Sequence, residues 1–79
     1  MVVFLNENIK VGAVFKRGEV VPRWFCYRGR KIAVREITYT WKEHQGTAVF
    51  LHFSVSDGLN LYELSFQPER LVWHIEAVE

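Results

Sequence analysis

The stretch Pro22-Arg23-Trp24-Phe25-Cys26-Tyr27-Arg28-Gly29-Arg30-Lys31-Ile32-Ala33-Val34-Arg35-Glu36-Ile37-Thr38-Tyr39-Thr40-Trp41 decides the fold. It reads as two strands around a tight turn at Arg28-Gly29, with aromatic and β-branched residues on both sides. Such a turn pairs Phe25 with Ile32 and Arg23 with Val34. The second strand changes phase along its length: Ile32 and Val34 share one face, whereas Ile37, Tyr39 and Trp41 have the opposite parity. A slip of one residue turns every side chain of a strand over. A β-bulge near Arg35-Glu36 is therefore expected to return both sets to the core, and to curl the sheet at that point.

Downstream, Lys42–Gly46 reads as a loop and Thr47–Ser56 as a strand, followed by a hairpin turn at Asp57-Gly58. That turn pairs Phe53 with Tyr62, Leu51 with Leu64 and Val49 with Phe66. The preceding loop sets Tyr39 against Val49 and Ile37 against Leu51, so two independent turns agree on one inner face for residues 49, 51 and 53. Gln67-Pro68-Glu69-Arg70 is a four-residue loop with Pro where a type I turn wants it. Leu71–Val78 follows with Leu71, Trp73, Ile75 and Ala77 inward; a strand is preferred to a helix because Val72, Trp73 and Ile75 favour sheet.

Upstream, Ile9, Val11, Ala13 and Phe15 alternate as in a half-buried strand, and Lys16-Arg17-Gly18-Glu19 is a loop. Pro22, which has no N–H, is placed at a strand start or on an edge. Asn6-Glu7-Asn8 is turn chemistry, and residues 1–8 read as a loose terminus or a short edge strand. The expected fold is all-β: an antiparallel meander of five or six strands, curled into a small, partly open barrel of SH3-like size. Residues 1–79 form one domain. Its expected core is Phe25, Ile32, Val34, Ile37, Tyr39, Leu51, Phe53, Leu64, Phe66 and Trp73.

A chain of 79 residues buries a thin core, and three Trp, three Tyr and six Phe are its main source of apolar area. One cysteine, Cys26, excludes an internal disulfide, fits a reducing compartment, and leaves no Cys/His spacing of a zinc site. The first residues lack a basic n-region and no apolar run reaches membrane-spanning length, so a cytoplasmic protein without a membrane partner is expected. The net charge of +1 is unevenly spread. Residues 10–35 carry Lys10, Lys16, Arg17, Arg23, Arg28, Arg30, Lys31 and Arg35 against Glu19 alone. Residues 36–79 carry two basic and seven acidic side chains. Such asymmetry marks a contact with an anionic partner, unless the two halves neutralise each other on folding.

Pro22, Phe25, Tyr27, Gly29, Arg30, Val34 and Trp41, then Tyr62-Glu63-Leu64 and Trp73, resemble a family of small, uncharacterised bacterial β-domains. Its shared pattern is Pro-x-x-Phe-x-aromatic-x-Gly-Arg, followed by alternating apolar residues and a Trp. The similarity covers about residues 9–78 and brings no catalytic residues. The resemblance implies a link of some members to DNA-repair gene clusters.

No Gly-rich phosphate loop, nucleophile triad or paired-acid motif is present, so no catalytic residue, cofactor or small-molecule substrate is expected. His52, Glu63 and His74 fall in one outward row. They are read as a cross-strand charge ladder rather than as metal ligands. Cys26 lies beside Arg28 and Lys31 and is read as a half-buried thiol. The leading functional reading is a macromolecular interaction module that contacts nucleic acid through Arg23, Trp24, Arg28, Arg30, Lys31 and Arg35: an aromatic ring stacks on bases while cations hold phosphates. The alternative is protein contact or homodimerisation through an outward apolar patch of Trp24, Phe50, Leu61 and Val72.

Overall fold

The computed structural model describes residues 1–79. Eight strands form it: β1 (Val3–Ile9), β2 (Val11–Lys16), β3 (Glu19–Tyr27), β4 (Arg30–Ala33), β5 (Glu36–Gln45), β6 (Ala48–Ser56), β7 (Leu61–Gln67) and β8 (Val72–Val78). All pairings are antiparallel. There is no helix, and hence none long and apolar enough to cross a membrane.

The strands make two sheets, not a closed barrel: one of five strands in the order β1-β8-β7-β6-β5, and one of three in the order β2-β3-β4. The expected barrel of five or six strands is corrected in this respect. The three-stranded sheet is inserted between the two edges of the larger one. The chain leaves the edge strand β1 through Lys10 and returns to the opposite edge strand β5 through Val34-Arg35. At the first crossing the Lys10 carbonyl accepts a hydrogen bond from the Cys26 N–H at 2.9 Å. At the second, the Val34 N–H donates to the Arg23 carbonyl (2.9 Å) and the Arg35 N–H to the Ser56 carbonyl (2.8 Å). The phase change near Arg35-Glu36 is therefore a passage between sheets rather than a bulge within one strand. These three bonds tie each crossing to a neighbouring strand.

Two arginine-glycine turns shape the smaller sheet. Arg17-Gly18 and Arg28-Gly29 both have positive φ at both positions (51° and 79°, 51° and 77°), as type I′ hairpins demand. The second gives the expected pair Phe25–Ile32. Pro22 is not at a strand start; it lies inside β3 but beyond the reach of β4, whose pairing ends at Trp24–Ala33, so at Pro22 the strand is paired on the β2 side alone, as on an edge. The register shifts beside it, pairing Gly12 with Trp24 but Ala13 with Pro22, so Arg23 is the extra residue of a bulge. The irregularity accommodates the missing N–H.

In the larger sheet two hairpins differ from expectation. Lys42–Gly46 is not a loop: β5 runs on to Gln45 and turns through Gly46-Thr47, so Trp41 pairs with His52 and Ile37 with Val55. The loop after β6 spans Asp57–Asn60, so Phe53 pairs with Leu64 and Leu51 with Phe66. This second register differs by two residues, which preserves facing, and the inner set of β6 and β7 stays inner. Asn6-Glu7-Asn8 is not a turn; it lies in β1, which pairs along β8 with an irregularity between Phe4 and Glu7.

The core fills the space between the sheets. Phe25 and Ile32 from the small sheet meet Phe53, Val55, Tyr62, Leu64, Phe66, Trp73 and Ile75 from the large one. Phe25 stands edge-on to Tyr62 with ring centres 5.0 Å apart, and Phe66 lies 4.6 Å from Trp73. Val34, Ile37 and Leu51 pack around this cluster half-buried. Tyr39 does not join it; it is 65% exposed, because the irregularity between Ile37 and Tyr39 turns it outward beside Trp41. Leu71 is likewise exposed rather than inward: it closes the β7–β8 turn with φ +58°, before the strand begins.

Candidate functional site

The outward face of the three-stranded sheet carries an aromatic residue among cations. Trp24 lies over Gly12, its cross-strand neighbour, so closely that a methyl group at Gly12 would overlap the indole. The Lys31 ammonium sits 4.5 Å from the centre of the Trp24 ring and that of Lys10 5.9 Å away. Arg23 is exposed at the adjacent bulge. The sequence reading placed Trp24, Lys31 and Arg23 here; it counted Lys10 among the cations but did not place it at this ring. The signal for it was its parity with Gly12 once β1 and β2 are split at residue 10.

The other expected cations diverge. Arg28 is held at the turn by its own neighbour: its Nε donates to the Tyr27 hydroxyl at 2.9 Å and its guanidinium lies 5.2 Å from that ring's centre. Arg30 shares the side of Ile32 and borders a groove with Tyr27, Asn60 and Tyr62. Arg35 packs against Gly58 in the Asp57–Asn60 loop of the other sheet. Strand alternation causes this scatter: successive residues of one strand cannot share a face.

The cations do not find acids. The only carboxylates within 4.0 Å of a basic side chain are Glu43 and Glu63, both at His52; no Lys or Arg is ion-paired. The charge asymmetry of the sequence therefore becomes an asymmetry between sheets. The three-stranded sheet and its two crossings hold eight of the ten Lys and Arg with Glu19 as their only acid.

The proposed apolar patch is not gathered. Trp24 is on the small sheet; Phe50, Leu61 and Val72 are on the neighbouring strands β6, β7 and β8 of the large one, with Leu61 at the opposite end of those strands from Phe50 and Val72. Phe50 borders a polar groove, whereas Leu61 lies with Val2, Phe4 and Ala77 around a separate hollow of about 300 Å³. Phe4 is 82% exposed. The apolar run Val2–Leu5 was the signal for it.

The outer face of the large sheet holds a second arrangement. His52 is buried, 7% exposed, beneath Trp41, whose ring is stacked on the imidazole at 4.9 Å and 12°. Its Nδ1 lies 3.2 Å from Glu63 Oε2 and its Nε2 3.3 Å from Glu43 Oε1. The first contact has hydrogen-bond geometry; the second is close but has none, and Nε2 is left buried without a hydrogen-bond partner. His74 does not pair with Glu63. It stands opposite Ser65, whose hydroxyl donates to Glu76 at 2.6 Å. The row His52–Glu63–His74 is thus broken by Ser65, and the second acid at His52 is Glu43, which the sequence reading had put in a loop. No three His, Cys, Asp or Glu side chains converge closely enough to enclose a metal ion. Cys26 is half-buried opposite Lys31.

At the far end of β6 and β7 the Asp57 carboxylate organises a loop. It accepts hydrogen bonds from the Asn60 N–H (2.7 Å), the Leu59 N–H (2.8 Å) and the Tyr62 hydroxyl (2.8 Å). These hold the Asp57 carboxyl below its ordinary 3.8, the Asn60 bond foremost, while burial, followed by its bond to Asp57, pushes the Tyr62 phenol above its ordinary 10.0.

Fold and surface define a small antiparallel two-sheet β domain with one cation-rich sheet and one acidic sheet. The chain belongs to the family described as Domain of unknown function (DUF6504), whose model matches residues 1–79. No curated protein and no solved structure matches it.

Proposed function

We propose that this domain is a non-catalytic module that binds nucleic acid on the outer face of its three-stranded sheet. The reading rests on one observation above others: the cations at the Trp24 ring, Lys10 and Lys31, and Arg23 beside it in the chain, have no acidic partner within ion-pair distance. Unpaired cations on a half-buried aromatic ring match what a nucleic-acid strand offers, phosphates at regular intervals and bases with π faces. Lysine ammonium groups resting on the indole are free to swing to phosphates, which uncovers the ring for a base.

The test is a binding titration of the full chain against single-stranded and duplex oligonucleotides over a range of salt. Affinity should fall steeply as salt rises. Replacing Lys10 and Lys31 with Ala should weaken binding for all sequences alike and flatten the salt slope by about 0.7 per lost contact on single strands. Absence of binding at low salt overturns the proposal. A second reading, contact with a protein or a second copy, is favoured by the exposed apolar group Val2, Phe4 and Leu61, which lies away from the basic face. Concentration-dependent mass lost on Phe4→Ser would support it.

A further inference from the structure

Given nucleic-acid binding as proposed above, we infer that the basic face takes a single strand rather than a duplex: an unpaired base lies on Trp24, and a backbone phosphate enters a second seat on the same face, rimmed by Lys16, Arg17 and Arg23. The bulge in β3 sets up both seats. Gly12, Val14 and Lys16 alternate onto the outer face of β2. Arg23, the extra residue, places Val21 opposite Val14 and Trp24 opposite Gly12, so both face outward despite their odd spacing, while Pro22 and Phe25 are buried beneath. Val14 and Val21 then line a hollow of about 280 Å³, together with Lys16, Arg17, Arg23 and Glu19.

The hollow suits a phosphate. Its three cations are exposed, none is within ion-pair distance of an acid, and they outnumber the single carboxylate of Glu19. Lys16 and Arg17 stand at a two-residue hairpin turn whose backbone is already fixed, with Arg17 at φ 51° and Gly18 at 79°, so little order is lost on binding. Two residues back along β2 from Val14, roughly 7 Å away, is Gly12 with the indole of Trp24 across it. That spacing is about the length of one extended nucleotide, which sets the base and phosphate seats in line along the strands. The indole decides between single strand and duplex. Its Nε1, Cε2 and Cζ2 atoms lie over Gly12, so the backbone of β2 supports one side of the ring, and what the ring can offer a ligand is a π face. A duplex stacks its bases on each other and shows only their edges in the grooves, whereas an unpaired base has a face free to stack.

The experiment is fluorescence anisotropy of the full chain at low salt with labelled oligothymidine, a base-free deoxyribose-phosphate strand of the same length, and a blunt duplex. Oligothymidine should bind tightest, and the base-free strand more weakly by about 5–150-fold, the worth of one stacked base. Trp24→Leu should bring oligothymidine close to the base-free strand. Lys16→Gln and Arg17→Asn, the latter suited to the left-handed turn, should weaken both single strands alike and each lower the salt slope by about 0.7. Glu19→Gln should tighten both. Equal affinity for the base-free strand or for the duplex overturns the single-strand assignment and leaves the face a general polyanion surface. Wild-type affinity in Lys16→Gln and Arg17→Asn, or weaker binding in Glu19→Gln, overturns the phosphate seat. Binding of none of these probes overturns nucleic-acid binding itself.

Discussion

Gly12 and Trp24 face each other across β2 and β3, and the indole occupies the space a side chain at residue 12 would need. Gly12 is therefore part of the basic face although it has no polar group. Gly12→Ala should displace the Trp24 ring from the sheet and separate it from Lys31. Because the ring is on the outer face, it can move, and the loss of stability should be about 1–3 kcal/mol rather than loss of the fold. The Trp24 indole N–H resonance should shift while those of Trp41 and Trp73 stay. An unmoved Trp24 resonance would contradict the packing described.

Phe25 and Leu64 are fully buried on opposite sheets, so each tests the contact between them. Phe25→Ala should lose about 3–5 kcal/mol and Leu64→Ala about 2–5 kcal/mol. At about 0.05–0.15 kcal/mol per residue a chain of this size has few kilocalories to lose, so both should melt far below wild type. Tyr39→Ala, at the exposed position, should change stability by no more than about 0.5 kcal/mol. Denaturant unfolding distinguishes these outcomes from a core that includes Tyr39.

Leu71 holds φ +58° with its side chain in solvent. A left-handed conformation strains any residue with a branched or long side chain by about 1–2 kcal/mol, and Asn tolerates it better than most. Leu71→Asn should raise stability by about 0.5–1 kcal/mol and raise the melting temperature. A destabilised variant would contradict the strain assigned to Leu71.

The Asp57–Tyr62 pair gives a pH dependence of known sign. The Asp57 carboxyl is lowered in the fold, so its contribution is full above the ordinary value of 3.8 and fades as pH falls through its lower folded value. The Tyr62 phenol is raised, so its contribution is full below 10.0 and fades as pH rises through its higher folded value. Asp57 is only half-buried, so solvent screening keeps the acid limb small. Tyr62→Phe should remove the hydroxyl donor, move the Asp57 carboxyl back toward 3.8 in an NMR titration, and abolish the alkaline limb. An unchanged Asp57 titration would show that the two side chains do not meet in solution.

The sequence alone determined the all-β class, most strand positions, the Arg28-Gly29 turn with its pair Phe25–Ile32, and the inner faces of β6, β7 and β8. These are local properties. Strand propensity belongs to the residue, glycine marks the turn, and facing depends only on parity, so a register error of two residues between Phe53 and Leu64 left the inner set intact. It also made visible the uneven charge of residues 10–35 and their one outward tryptophan, Trp24. The tertiary structure decided what parity cannot carry. Backbone ladders form alike for almost any residue, so nothing local told that β1 closes on β8 at the far end of the chain. Nor did it tell that the phase change at Val34-Arg35 passes to a second sheet, or that β5 runs on far enough to bring Trp41 and Glu43 onto His52. The separation of Arg30 and Arg35 from Lys31 follows from the same cause: charge is a property of residues, but its gathering into a face is a property of how distant strands are laid side by side.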